Sequence, residues 1–249
     1  MPEAKKKSGS LPLKPKPSPF ESMNILAIDL SSSQNSLALV TESGTQTEKN
    51  WIEAKKGARR LFDEIPALLS ETSMNWEDID GYAVGRGPGR FSGLRIGLAS
   101  VQSFALPDKK PVYAISSGEA LAYETASQTT TPYIAVVGDA RRQQCWLGLF
   151  KIDQNNIPSL CHSWRLVPPN GLENKLQQHT LIVSSEWDRL EPVLNTLKKS
   201  GCSAIKENRY PSARIVGEIA IQRILKRQPG EPLTPLYMHP PVFVNPMDP

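Results

Sequence analysis

The sequence predicts an α/β protein: a mixed sheet with helices on its faces, followed by a second half built to the same opening plan. Three observations predict it. A short apolar run ends in an acid, Ile25-Leu26-Ala27-Ile28-Asp29, and a polar turn leads into a second apolar run. The apolar spacing then switches from that of strands to that of helices near residue 57 and alternates afterwards. Another apolar run ending in an acid, Tyr133-Ile134-Ala135-Val136-Val137-Gly138-Asp139, begins the second half.

The elements follow in order. Residues 24–29 read as a strand, Ser31-Ser32-Ser33-Gln34-Asn35 as a turn, and Ser36-Leu37-Ala38-Leu39-Val40 as the returning strand of a hairpin. A third strand is expected near Lys49-Asn50-Trp51-Ile52. Over 57–71, Leu61, Phe62, Ile65, Leu68 and Leu69 share one helical face. Pro66 should perturb that helix, because it lacks an N–H and crowds the preceding turn. Gly81-Tyr82-Ala83-Val84-Gly85 is a fourth strand, residues 91–106 a second helix, and Pro111-Val112-Tyr113-Ala114-Ile115 a fifth strand. A third helix opens at Ser117, with Ser116 or Ser117 as its cap. In the second half, Cys145-Trp146-Leu147-Gly148-Leu149-Phe150 returns as the hairpin partner of 133–139. Leu181-Ile182-Val183 is a strand, and 186–199 and 213–226 are helices. The division expected is an arm over 1–22, lobes over 23–130 and 131–238, and a proline-rich tail over 239–249.

Charge and composition exclude several classes. Residues 1–22 carry five Lys and two Glu, whereas the last twenty carry Glu231 and Asp248 and no Lys or Arg. The body is therefore weakly basic, unlike a polybasic nucleic-acid binder. No run approaches the roughly 20 apolar residues of a membrane span. Lys5-Lys6-Lys7 is not followed by an apolar core, so no secretory signal is expected, and Met23 offers an internal start. Cys145, Cys161 and Cys202 form no CxxC pair, which points to reduced thiols and a cytoplasmic protein.

Candidate chemistry is sparse. Asp29 with Ser31 and Ser32, and Asp139 in the second half, stand where actin-like ATPases and sugar kinases hold metal and phosphate. Neither turn contains the glycine that close phosphate approach favours. The other reading, that both acids end strands and bond turn amides, is preferred. His162, His179 and His239 form no HxxxH or HExxH pair, so no metal site is expected. No catalytic nucleophile emerges.

Gly85-Arg86-Gly87-Pro88-Gly89-Arg90-Phe91-Ser92-Gly93-Leu94-Arg95-Ile96-Gly97 holds five of the chain's 16 glycines. It is neither a Walker A loop nor a GxGxxG fingerprint. Between Ser92 and Leu106 the only charge is Arg95. Leu94, Leu98, Val101 and Ala105 line one face of this helix, with Phe91 at its start. A helix so apolar needs covering on several sides. Either it and the 57–71 helix cover each other, or Leu61, Phe62, Ile65, Leu68, Leu69, Phe91, Leu94, Leu98, Val101 and Ala105 form a protein interface.

The run 25–29, the glycine segment 85–97 and Asp139-Ala140-Arg141-Arg142 resemble the TsaB (YeaZ) family, whose usual central motif is GRGPGSFTGLRIG. Pro235-Leu236-Tyr237-Met238 is similar to the family's closing Pro-x-Tyr-Leu, so the resemblance covers 23 to about 237. It implies an actin/Hsp70-like ATPase (ASKHA) fold of two RNase H-like lobes, with mixed sheets flanked by helices. It implies a non-catalytic partner of TsaD, paired through the helices beside the glycine motif. With the ATPase TsaE, that pair forms N6-threonylcarbamoyladenosine in tRNA. Gly85, Arg86, Gly87, Pro88, Gly89, Ser92, Gly93 and Arg95 would be the signature loop, and Asp29, Ser31, Ser32 and Asp139 a vestigial nucleotide site. No cofactor would be required, with ATP or ADP a candidate at the complex interface. tRNA would be met through the complex, and the isolated chain would form homodimers. Departures are Arg90 and Ser92, where the family usually has Ser and Thr, and Lys56-Gly57-Ala58-Arg59, where a His-Ser/Thr pair usually stands. The alternatives are an independent ATP-dependent phosphotransferase of the same fold class and a self-associating structural protein.

Overall fold

The computed structural model describes residues 23–52, 58–199 and 201–240. The expected arm 1–22, Lys56-Gly57 and most of the tail 239–249 lie outside the described residues.

The first sheet is assembled from β1 (Asn24–Asp29), β2 (Gln34–Thr41), β3 (Gly44–Ile52), β4 (Gly81–Gly85) and β5 (Val112–Ile115), in the order β3-β2-β1-β4-β5. β1, β2 and β3 are antiparallel neighbours, whereas β4 and β5 run parallel to β1. The helices α1 (Ala58–Glu71), α2 (Phe91–Ala105) and α3 (Ser117–Ala126) connect or follow these strands. The second sheet repeats the plan with β6 (Tyr133–Arg141), β7 (Gln144–Ile152), β8 (Pro158–Leu160), β9 (Arg165–Val167), β10 (Thr180–Val183) and β11 (Ser203–Ala204). Its order is β11-β10-β6-β7-β8, with β9 also on β7. In each sheet, one central strand ending near an Asp has an antiparallel hairpin partner on one side and a parallel strand on the other. The helices α4 (Trp187–Leu194) and α5 (Ala213–Leu225) complete the chain. This is an ASKHA-like architecture of two mixed sheets with helices.

The unbroken apolar runs follow from burial on both faces of the first sheet. Leu26 and Ile28 of β1, with Leu37 and Leu39 of β2, pack beneath α1 and α2. The alternate residues Ile25, Ala27, Ala38 and Val40 pack against Val216, Ile219 and Ala220 of α5. The lobe boundary expected from sequence is therefore corrected for α5: it comes late in the chain but covers the first sheet. α3 lies between the sheets, with Ala120 in the core of the first and Leu121, Ala122 and Ala126 in that of the second.

Three further expectations change. β3 starts at Gly44, because its polar residues pair with β2 along its length. Alternating Thr, Glu and Lys hid this edge strand, where polar side chains discourage further pairing. α1 continues through Pro66, which lies on its exposed face. α4 stops at Leu194, well short of 199. Beyond it the amides of Thr196 and Leu197 bond the carbonyls of Val193 and Leu194, and the Thr196 hydroxyl also donates to Val193 O. Such side-chain competition loosens a helix end.

Candidate functional site

The glycine segment forms the end of β4, a loop and the first turns of α2. Its shape is set by what lies beneath it. A Cβ on Gly85 would stand 1.8 Å from Asp29 Oδ2, and one on Gly93 would stand 1.8 Å from Leu30 O. Glycine at these two positions lets β4 and α2 close onto the end of β1. Gly89 lies against the Ser31 backbone, and the Arg90 amide donates to Ser31 O at 2.7 Å. The Arg90 guanidinium reaches Ser32 O at 3.1 Å. Gly87, joined to Pro88 by a cis peptide bond, is held from the other side. Its N–H donates to Ser117 Oγ (3.0 Å), and its carbonyl accepts from Ser117 N (2.8 Å) and Ser116 Oγ (3.1 Å). Ser116 is the cap of α3, its hydroxyl accepting from Glu119 N.

Arg86 is buried within the loop and turned toward the C-terminal segment. Its guanidinium donates to Glu231 Oε2 at 3.1 Å and to Thr234 O at 2.9 Å. Glu231 also receives Arg223, which bonds both carboxylate oxygens of Glu119. Burial pushes the Glu119 carboxyl above the usual range, and Arg223 opposes the shift. Glu119, Arg223, Glu231 and Tyr237 were missed as site residues by the sequence reading. Only the Pro235-Leu236-Tyr237-Met238 run marked this segment in the sequence.

Asp29 is wholly buried. Its Oδ1 accepts from Ser31 N (2.8 Å) and Ser31 Oγ (2.6 Å), whereas Oδ2 has no hydrogen-bond partner. Burial raises its pKa, while the Ser31 bonds and the nearby Ser117 hydroxyl oppose the rise. Asp139 repeats the turn: Oδ1 accepts from Arg141 N at 2.7 Å, two residues on. Its Oδ2 pairs with Arg141 (3.0 Å) and Arg189 (3.2 Å). Ser32 donates to Gln34 O. Both acids thus close strand ends through turn amides, and Arg90 takes the Ser32 carbonyl of the first turn. Among the described residues no group of three or more His, Cys, Asp or Glu could hold a metal ion.

α1 and α2 lie side by side over the first sheet, but their apolar residues face inward. Leu61, Ile65, Leu68, Leu69, Leu94, Leu98, Val101 and Ala105 are all buried in the core under the two helices. The expectation that these eight present a partner surface is corrected: their spacing marks the sheet-facing side. Of the ten residues proposed, Phe62 and Phe91 remain open, 51% and 58% exposed. The outer face of α2 is instead Phe91, Ser92, Arg95, Ala99, Gln102 and Ser103, with exposed Leu106 just beyond its end. These residues recur at helical spacing, but small and polar types there look like ordinary solvent-facing positions. Phe104 tilts between the helices, its ring 6.2 Å from Phe62 and 5.3 Å from Trp76, which is also exposed. Arg95 stacks over Phe91 at 5.2 Å.

Comparison with known proteins adds to this geometry. The family model for TsaD, tRNA N6-adenosine threonylcarbamoyltransferase, matches residues 52–175. The tRNA threonylcarbamoyladenosine biosynthesis protein TsaB of Escherichia coli is 27% identical over 165 residues, 66% of this chain and 69% of that protein. The Bacillus subtilis protein of the same name is 32% identical over 129 residues, 52% of this chain and 56% of its own length. The structure of YeaZ from Pseudomonas aeruginosa superposes with a TM-score of 0.72 at 23% identity, covering 86% of this chain and 99% of that one. That likeness supports the fold described above.

Proposed function

We propose that the chain belongs to the TsaB/YeaZ family of tRNA threonylcarbamoyladenosine biosynthesis proteins, several of which it resembles, and that it is the non-catalytic subunit that binds and supports a TsaD-like threonylcarbamoyltransferase. The observation that carries this reading is the outer face of α2. It runs from Phe91 to Leu106, carries a single charge at Arg95, and is exposed among the described residues. A nearly uncharged face of small and polar residues, edged by exposed Phe62, Phe91 and Leu106, suits close packing against a partner helix. The surface proposed for the partner is accordingly Phe62, Phe91, Ser92, Arg95, Ala99 and Leu106. The signature loop shapes this surface from beneath, holding the start of α2 on β1.

The chain needs no cofactor of its own in this reading. ATP or ADP would sit where the two subunits meet, and a TsaE-like ATPase and tRNA would join through the complex, in the cytosol. The exposed α2 face would also pair two copies when the partner is absent. An independent phosphotransferase is less well supported. Asp29 is sealed from solvent, and the turn after it directs carbonyls of Ser31 and Ser32 to Arg90. Phosphate recognition wants N–H groups at such a turn.

Light scattering coupled to size exclusion, on the chain alone and mixed with the TsaD-like subunit of the same organism, tests the reading. A one-to-one complex formed at the expense of homodimer is expected. No complex, with or without ATP, would remove the proposal.

A further inference from the structure

Residues 231–239 cross the molecule where the outer face of α2 begins. Glu231 forms an antiparallel bridge with Ala114 of β5. Arg86 then fastens the segment at three points: to Glu231 and Thr234 through its guanidinium, and to the Leu236 amide through its carbonyl at 2.8 Å. At the far end the His239 Nε2–H donates to Ala140 O in the second sheet at 2.7 Å, and Met238 packs into that sheet's core. Between these anchorages Tyr237 stacks on Phe91, ring centroids 5.1 Å apart and planes 22° from parallel. Arg95 covers the same Phe91 ring.

This arrangement joins a well-anchored segment to an open surface. Phe91 and Tyr237 stay 58% and 45% exposed, although ring pairs of this kind are usually driven toward burial. Among the described residues Arg95 makes no ion pair. The three side chains form one aromatic platform with a cation that no described acid pairs, continuous with Ala99 and Leu106 along α2.

Resting on the reading above, we propose that the segment 231–239 is part of the partner surface. Tyr237 contacts the partner, and Arg86 is the residue that positions it. The surface fits an apolar helical face that carries a carboxylate opposite Arg95. Arg86 itself is buried and acts only through the segment it holds.

Calorimetric titration of the full chain with the TsaD-like subunit, alongside thermal unfolding of each variant, tests this. Tyr237→Ala should weaken binding by about tenfold or more with an unchanged melting midpoint. Tyr237→Phe, which keeps the stack, should bind within about twofold of wild type. Arg95→Glu should weaken binding through repulsion of the partner's carboxylate. Arg86→Lys should weaken binding in the wild-type background but add nothing to Tyr237→Ala, since coupled residues are not additive. If Arg86→Lys fails to fold, Glu231→Gln loosens the same attachment from the segment's side. Wild-type affinity in Tyr237→Ala would overturn the proposal while leaving the partner reading intact. Equal losses from Arg86→Lys in both backgrounds would overturn the positioning role. A wild-type chain that binds no partner would overturn both readings together.

Discussion

Asp29 Oδ2 occupies the space that a side chain on Gly85 would need, 1.8 Å from where its Cβ would lie. The end of β1 and the end of β4 are thereby fitted to each other at a wholly buried carboxylate. Gly85→Ala should cost about 2–4 kcal/mol, because neither the strand backbone nor a packed carboxylate can move far. Urea unfolding measures it. In an Asp29→Ala background the same change should cost less, the remaining cost coming from Ser117 Oγ, 2.6 Å from the same Cβ, and equal costs in the two backgrounds would disprove the fit.

The same carboxylate gives a pH dependence. Its pKa is raised by burial, so the folded state binds a proton more tightly than the unfolded chain. Stability from this group is greatest below the ordinary carboxylate pKa. It falls as pH rises toward the folded value and stays low above it. Asp29→Asn keeps an oxygen for the Ser31 amide and carries no charge. It should be at least as stable as wild type at neutral pH, with a flatter dependence as pH rises above the ordinary carboxylate pKa. Unfolding midpoints across that range decide it, and a strongly destabilised Asp29→Asn at neutral pH would contradict the argument.

The two sides of α2 should respond differently. Leu98 and Val101 are buried in the core, so a charge at either should unfold the chain or cost several kcal/mol. Ala99 is exposed, and Ala99→Glu should leave the unfolding midpoint unchanged while weakening the TsaD-like complex by about tenfold or more. A complex indifferent to both Ala99→Glu and Phe62→Glu would move the partner surface elsewhere.

ATP hydrolysis by the chain alone should equal that of its Asp29→Ala variant, since the carboxylate is sealed and tied to Ser31. A coupled phosphate-release assay is sufficient. Hydrolysis that vanishes on Asp29→Ala would reinstate the phosphotransferase reading.

Much of this molecule was legible one element at a time. The run 24–29 ending in Asp, the hairpin after it, its repetition at 133–141 and the helix following Arg90 are all local patterns, and local patterns carry secondary structure. The glycine segment marked the site because close approach of backbones leaves its trace in sequence. Which side of α2 faces outward was not legible. Leu94, Leu98 and Val101 advertise burial without saying against what, and the sheet below claimed them.

Only the tertiary structure decided the rest. α5 returns to the first sheet, Arg86 meets Glu231 from 145 residues away, and Tyr237 comes to lie on Phe91. The sequence by itself determined the central strands, the positions of the five helices and the two acid-ended hairpins, but not the full extent of β3, the end of α4 or the short edge strands β8, β9 and β11, because periodicity and turn chemistry act over a few residues and very short strands show too little of either. Contacts across the whole chain depend on how those pieces share one core, and no short stretch of sequence encodes that choice.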